Sequence, residues 1–454
     1  MDALFESPLG AAFARPWVDR AGLFGMRRWY MPLSRLWAAA NAAGDDVERF
    51  RSEIGAPLAG FWPAPFLKGT LGSNRRIRDA AEVARRKWEG AIFAGATADE
   101  ASALDWRRRV AATRHMATRA RFYPLLFPRN PPPARWEIDD PAAIEEALVA
   151  LVDRPGELYS SDIDVASIEV SAPAVKDGLC QYWLRAPTPS ARLRGRPGSE
   201  TMYARVIEQA DGSADATLLF GSGLGLEFEL LAVTRDPGGR LARQGWRVIE
   251  PISPYHGLRA MPGRYGGEPF IAAGPTSSID LISGQAIESA LLIAWARQRF
   301  GTKVALSGIS MTSFVAQQAA SHCHLWPEAA RPDAVMLISH SGNIAGVTFG
   351  GELAAMLGLD RALSGAGWSP ERIAKVSVLI DPAEQPALPA GRIVSVLGER
   401  DRWLPYEDGL GIARRWNLPE ANIFQYRLGH LGMPVQLTRD NAPFERLRRV
   451  LDAD

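Results

Sequence analysis

Ser310 sits inside Gly308-Ile309-Ser310-Met311-Thr312, where a nucleophilic hydroxyl is easy to build. Before it, Val304 to Ser307 is a short run of apolar or small residues that reads as a buried strand. After it, "MTSFVAQQAASH" places Phe314, Val315, Ala319 and Ala320 at helical spacing. A serine at the apex of so tight a strand-to-helix turn has its hydroxyl lifted above the sheet, ready to attack if a base lies beside it. The last position holds Thr312 where such a turn usually has a second glycine, so crowding of the helix against its neighbours is expected there.

A base and an acid follow in the chain order that this chemistry uses, each just past an apolar strand. "GRIVSVLG" runs into "ERDRWLP", which offers Glu399 and Asp401, and "NIFQYRL" runs into "GHLGMP", which carries His430 between glycines. The chain has six histidines, and His430 is the one in the loop after the final strand. The imidazole would take the Ser310 proton, and the acid would orient the imidazole. Asp401 is preferred to Glu399 because it lies farther past the strand end. An oxyanion needs backbone N–H donors. Met311 would supply one, and Ser222 or Gly223 in the glycine-rich "LLFGSGLG" the other. That loop lacks the Lys-Ser/Thr of a phosphate-binding P-loop and is not G-x-G-x-x-G, so nucleotide binding ranks low, and a serine hydrolase built from these residues implies no cofactor.

The elements that must hold these residues alternate along the chain. Candidate strands are 216–220, 246–250, 303–307, 334–339, 392–397 and 422–427, with helical patterns between them. In the helix 278–299, Ile279, Ile282, Ala286, Ala290 and Ile293 would make one apolar face. Such alternation predicts a mainly parallel sheet covered on both sides, an α/β class. "IDVASIEVSAP", "LCQYWLRAP" and "TMYARVIEQ" read as further strands upstream, and 344–390 interrupts the alternation as a candidate lid. From 17 to about 125 the periodicity is helical, and "FPRNPPPARW" reads as a linker. The expected division is a helical region 1–135 and an α/β unit 136–454.

Several segments in order resemble the family of α/β-hydrolase domain-containing protein 18: "PYHGLR" (254–259), "IDLISGQAIESALLIAW" (279–295) and "LSGISM" (306–311). The "LLFGSG" before them and the late "GH" fit the same pattern. The resemblance covers roughly 200–345 and, more loosely, the C-terminus. It implies an α/β-hydrolase fold and a serine hydrolase, with Ser310 and His430 carried over and an acid near Asp401. It also implies esters with a lipid-like acyl chain. The chain departs from the family at Thr312, and "GSGLGLEF" lacks the Asp and Arg that the family's loop tends to carry. A fold retained for binding without catalysis, or the same triad turned on an amide or thioester, are the alternatives.

His256, Arg259 and His340 lie near the predicted strand ends and are candidates for the pocket wall, with His256 and His340 read more readily as core residues behind it. "SHCH" (321–324) has metal-ligand residue types, but all at one helix end, whereas zinc sites draw on several segments; no metal is expected.

The composition, 47% hydrophobic and 23% charged with a net charge of +1, is that of a globular chain. Two cysteines argue against a disulfide scaffold. No secretory signal and no run of 18 apolar residues is apparent, so a cytoplasmic protein is expected. Residues 1–135 nevertheless contain 22 Lys and Arg against 13 Asp and Glu. The basic clusters "MRRWYMPLSRLW" and "WRRRVAATRHMATRARFYPLLF" interleave arginine with aromatic rings, which suits a bilayer interface better than a nucleic-acid groove. Peripheral contact with an anionic membrane is one expectation, and a helical cap with solvated or paired arginines is the other; no nucleic-acid partner is expected.

Overall fold

A computed structural model describes residues 17–55, 62–127, 130–225 and 236–453. Among them, ten strands form one sheet: β1 (Glu169–Val170), β2 (Ala174–Lys176), β3 (Leu179–Pro187), β4 (Thr201–Gln209), β5 (Ala216–Gly221), β6 (Trp246–Pro251), β7 (Val304–Ile309), β8 (Ala334–Ile338), β9 (Ile393–Gly398) and β10 (Ile423–Tyr426). Their order is β1-β3-β4-β6-β5-β7-β8-β9-β10, with β2 paired to β3. Pairing is antiparallel from β3 through β4 to β6 and parallel from β6 across β5, β7, β8 and β9 to β10. Every residue of β5 to β9 is buried. Strands covered on both faces have no wet side, which is why they read as continuous apolar runs.

The helices Thr276–Phe300, Met311–His322 and Tyr406–Arg415 pack one face of the sheet through Ile282, Leu291, Phe314, Val315 and Ile412. Pro237–Arg243 and Ala442–Asp452 cover the other through Leu241, Phe444 and Leu447. This mainly parallel, mixed sheet flanked by helices, with a helical segment before it, is the α/β-hydrolase fold.

One reading of the sequence needs correction, and two are extended. Most of "IDVASIEVSAP" is not strand: Asp164 accepts a hydrogen bond from the Ala166 N–H at 3.0 Å and nucleates a 3-10 turn over Val165–Ser167, leaving only the two-residue β1. In the helix Thr276–Phe300 the residues Ile279, Ile282, Ala286, Ala290 and Ile293 do lie together in one core cluster, but burial does not stop at that face. The helix is buried almost all round, and its carboxylates are paired inside: Asp280 with Arg192 and Arg196, Glu288 with Arg259. It is also long and apolar enough to cross a membrane, though its whole apolar stretch is buried in the fold. Finally, the linker stretch packs against the α/β unit over its described residues 130–136. Ala134 is buried, Tyr265 Oη donates to the Pro133 carbonyl at 2.9 Å, and the Arg135 and Glu137 amides bond to Glu268 and the Ala272 carbonyl, each at 2.7 Å.

The N-terminal region folds as helices Trp17–Gly25, Met31–Ala43, Val47–Ile54, Ala64–Ile92 and Ala98–Ala117, followed by a 3-10 segment to Leu126. A π-turn, Met26–Tyr30, joins the first two. Leu36, Phe50, Leu71 and Phe122 give these helices a core of their own. A second cluster joins Trp88, Ile92 and Leu104 to Trp183 of β3, and Met31 packs with Tyr265, Ile271 and Leu357. The helical segment therefore shares apolar cores with the α/β unit.

Candidate active site

Ser310 occupies the turn between β7 and the helix that begins at Met311, with φ 55° and ψ −117°. A non-glycine residue with positive φ is strained by about 1–3 kcal/mol and persists only where its surroundings hold it. Here the Ser310 N–H donates to the Ile338 carbonyl at the end of β8, at 2.9 Å. Thr312 Oγ1 accepts from the Ile309 N–H at 3.0 Å and donates to the Ile309 carbonyl at 3.2 Å, closing the turn on itself. The expected crowding at Thr312 is accommodated by two glycines on paired positions of β5 and β7. A Cβ on Gly221 would stand 2.7 Å from Thr312 Oγ1, and one on Gly308 would run into the Thr312 carbonyl.

The three residues singled out by chain order come together. His430 Nε2 lies 2.9 Å from Ser310 Oγ, and His430 Nδ1 lies 2.7 Å from Asp401 Oδ2. The other Asp401 oxygen accepts from the Trp403 and Leu404 amides at 2.9 and 3.1 Å, which leaves Oδ2 for the imidazole. The Trp403 ring stacks on His430 with centroids 4.7 Å apart and 16° between planes. His430 and Asp401 are 7% and 4% exposed. Burial pulls the imidazole down, but the charge and hydrogen bond of Asp401, with the charge of Asp19, leave its pKa raised. Glu399 instead faces solvent beside Arg427, at 3.7 Å.

Ser310 and His430 open into a cavity of about 470 Å³. Its wall is largely apolar, with Met26, Met31 and Met116 from the N-terminal helices and Leu224, Ile271 and Leu353 from the α/β unit. Arg119 and Tyr30 also line it, the guanidinium 5.3 Å from the Tyr30 ring. Leu353 comes from the candidate lid, which folds into helices Ile344–Gly350, Glu352–Leu357, Leu359–Gly365 and Pro370–Ser377. Gly223 lines the cavity as Ser310 does, whereas Ser222 and Met311 do not; all of Ser222, Gly223 and Met311 are buried. A larger open groove of about 990 Å³, between residues such as Arg49, Arg78, Glu82 and Arg264, contains none of these groups.

The other sequence candidates lie off the cavity wall. His256 is buried; its Nδ1 contacts the Pro254 carbonyl at 2.8 Å and its Nε2 accepts from the Gly225 N–H at 3.1 Å. That network places the proton on Nδ1, and burial holds the pKa down to about 4. His256 thus ties down the loop that carries Gly223. Arg259 is fully buried in a two-pronged pair with Glu288, both contacts 2.8 Å, and also donates to the Ile252 and Ser199 carbonyls. His340 bonds Ser395 Oγ at 2.8 Å, and burial lowers its pKa to about 3. All three brace the strand ends. In the "SHCH" stretch His322 stacks on Tyr159 at 4.4 Å, and among the described residues no three His, Cys, Asp or Glu side chains gather as a metal site.

Sequence reading missed Asp19, Trp403 and the N-terminal share of the wall. Trp403 stands two residues past Asp401, and its apolar bulk at a strand end was the available signal.

No family model and no curated protein matches the chain, so its resemblance to the domain-containing protein 18 family rests on the quoted segments alone. Solved structures do match. An acetyl xylan esterase from Thermoanaerobacterium sp. is 13% identical, over 63% of this chain and 88% of that one, with a TM-score of 0.41. Brefeldin A esterase, described as a bacterial homologue of human hormone sensitive lipase, is 17% identical over 68% and 87%, with a TM-score of 0.38. A cold-adapted esterase from an Arctic intertidal metagenomic library is 12% identical over 61% and 97%, also with a TM-score of 0.38.

Proposed function

We propose that this chain is a serine hydrolase that cleaves carboxylic esters bearing a sizeable, lipid-like acyl group. The observation that carries the reading is the unbroken relay from Asp401 through His430 to Ser310 at 2.7 and 2.9 Å, opening on an apolar cavity. Ser310 Oγ attacks the ester carbonyl as His430 Nε2 takes its proton. The C–O bond to the alcohol then breaks, and the same proton goes to the departing alkoxide. Water, deprotonated by His430, attacks the acyl-enzyme, and the proton returns to Ser310 as the acid leaves. Asp401 holds the imidazole in the tautomer with Nδ1 protonated and faces the imidazolium that forms. The Met311 N–H and that of Ser222 or Gly223 would hold the oxyanion. Gly223 is the better placed for this, since it lines the cavity.

Three methionines on the wall support a long, variable acyl group, because an unbranched, polarisable side chain adapts to the shape beside it. The basic N-terminal region supports a peripheral approach to anionic lipid. Phe24 is 61% exposed, Trp29 40% and Tyr30 42%; Tyr30 is also on the cavity wall. Against this stand the ion pairs that engage many of the arginines, among them Arg35–Glu53, Arg75–Asp45, Arg85–Glu82 and Arg108–Asp105.

A hydrolysis screen over acyl-chain length, run with wild type and Ser310→Ala, tests the proposal. Turnover that rises with chain length and vanishes in Ser310→Ala supports it. A wild type that neither turns over any ester nor is labelled by a fluorophosphonate would favour a binding protein.

A further inference from the structure

Asp19 belongs to the first described helix, 411 residues before the loop that it touches. Its Oδ2 accepts from the His430 N–H at 2.5 Å and its Oδ1 from the Leu431 N–H at 2.9 Å. It is 6% exposed, and burial raises its pKa against the pull of those two amides. A buried carboxylate is costly to place, so it is a poor choice merely to fill space. The fit around it is tight on both sides. A Cβ on Gly429 would collide with the Asp19 carboxylate, and a Cβ on Gly22 would collide with the Leu431 side chain. The glycine before His430 is therefore where the carboxylate enters, and the glycine one turn after Asp19 is where the loop packs back.

We infer that Asp19 is a positioning residue for catalysis: its carboxylate clamps the backbone of His430 and Leu431, so the N-terminal helix sets the aim of the imidazole at Ser310. This rests on the reading of Ser310, His430 and Asp401 as a triad. Two backbone bonds leave the His430 peptide little freedom to turn, and a shift of about 1 Å in a catalytic group can cost a hundredfold in rate. Leu431 lines the cavity, so the same clamp also sets part of the wall. The groups that act on the imidazole are Asp401 from the loop after β9, the Ser310 hydroxyl and the Trp403 ring, which touch it, and Asp19 from the helix, which bonds the His430 backbone and reaches the ring through its charge. Both carboxylates favour the imidazolium. Because His430 works as a base, the acid limb of kcat/KM follows its pKa, and removing the charge of Asp19 moves that limb to lower pH.

The test compares wild type, Ser310→Ala, Asp19→Asn, Asp19→Ala and Gly429→Ala. For each, kcat and KM are measured against pH on a p-nitrophenyl ester, with fluorophosphonate labelling rates and thermal unfolding. Asp19→Asn is expected to lose about ten- to a hundredfold in kcat, with KM within about threefold and the acid limb displaced downward. Gly429→Ala keeps the carboxylate but pushes it off the loop, and is expected to lose kcat similarly. It decides the matter if the Asp19 variants fail to fold. A folded Asp19→Asn with wild-type kcat and an unmoved acid limb would overturn the inference, as would a Gly429→Ala protein with wild-type kcat. Labelling of Ser310→Ala as fast as wild type would instead overturn the triad reading itself.

Discussion

Ser310 and His430 meet at 2.9 Å, yet the loops that carry them are held by different means. The serine turn is held mostly from within. Thr312 bonds Ile309 in both directions, Gly308 lets the Thr312 carbonyl approach, and neighbouring strands supply the Ile338 carbonyl and the empty space at Gly221. The histidine loop depends on distant parts of the chain. Asp401 and Trp403 come from the loop after β9, and Asp19 comes from the far N-terminal helix. A residue forced into a strained conformation needs support that folds with it, and sequence-local contacts provide that. A side chain that must only be aimed can be aimed from anywhere in the fold.

The contrast can be broken most severely at the relay. His430→Ala and Asp401→Asn are each expected to lose about a thousandfold or more in kcat while still folding, whereas Glu399→Gln, at the solvent-exposed pair with Arg427, should change it less than about threefold. A crippled Glu399→Gln would reassign the acid. The self-contained character of the serine turn is tested next. Gly221→Ala should cost about 1–3 kcal/mol in urea unfolding through its collision with Thr312, and adding Thr312→Ala should return a large part of that loss. Strictly additive losses would mean that the two positions do not share the space. The smallest effect concerns the N-terminal helices beyond the clamp. If they also meet lipid, the protein sediments with anionic but not neutral vesicles, with about 1 kcal/mol for each basic side chain near the surface and weakening with salt. Equal failure to bind both at low salt would leave them a structural cap.

The same difference explains what the sequence made legible. The serine turn was readable because a strand, a tight turn and a helix lie side by side in it, and Asp401 and His430 because each follows an apolar run. The crowding at Thr312 was foreseen, but not its relief, since Gly221 becomes its neighbour only through the pairing of β5 with β7. In the sequence Asp19 is one acid within the helical stretch that begins at 17. Nothing local to it distinguishes a surface carboxylate from one buried against the 430 loop. His256, Arg259 and His340 were placed near the right strand ends but are buried in bonds that brace those ends, because polar side chains at strand termini serve loop anchoring as readily as ligand contact.

The buried helix Thr276–Phe300 has a consequence for synthesis. Emerging from the ribosome, it would offer the machinery of membrane insertion a segment of suitable length and apolarity. Asp280 and Glu288 interrupt that segment, and a carboxylate near the centre of a span opposes insertion by about 2.5–3.5 kcal/mol. The two acids that pair with Arg192, Arg196 and Arg259 in the fold would thus weigh against insertion of the segment before any of those partners is in place.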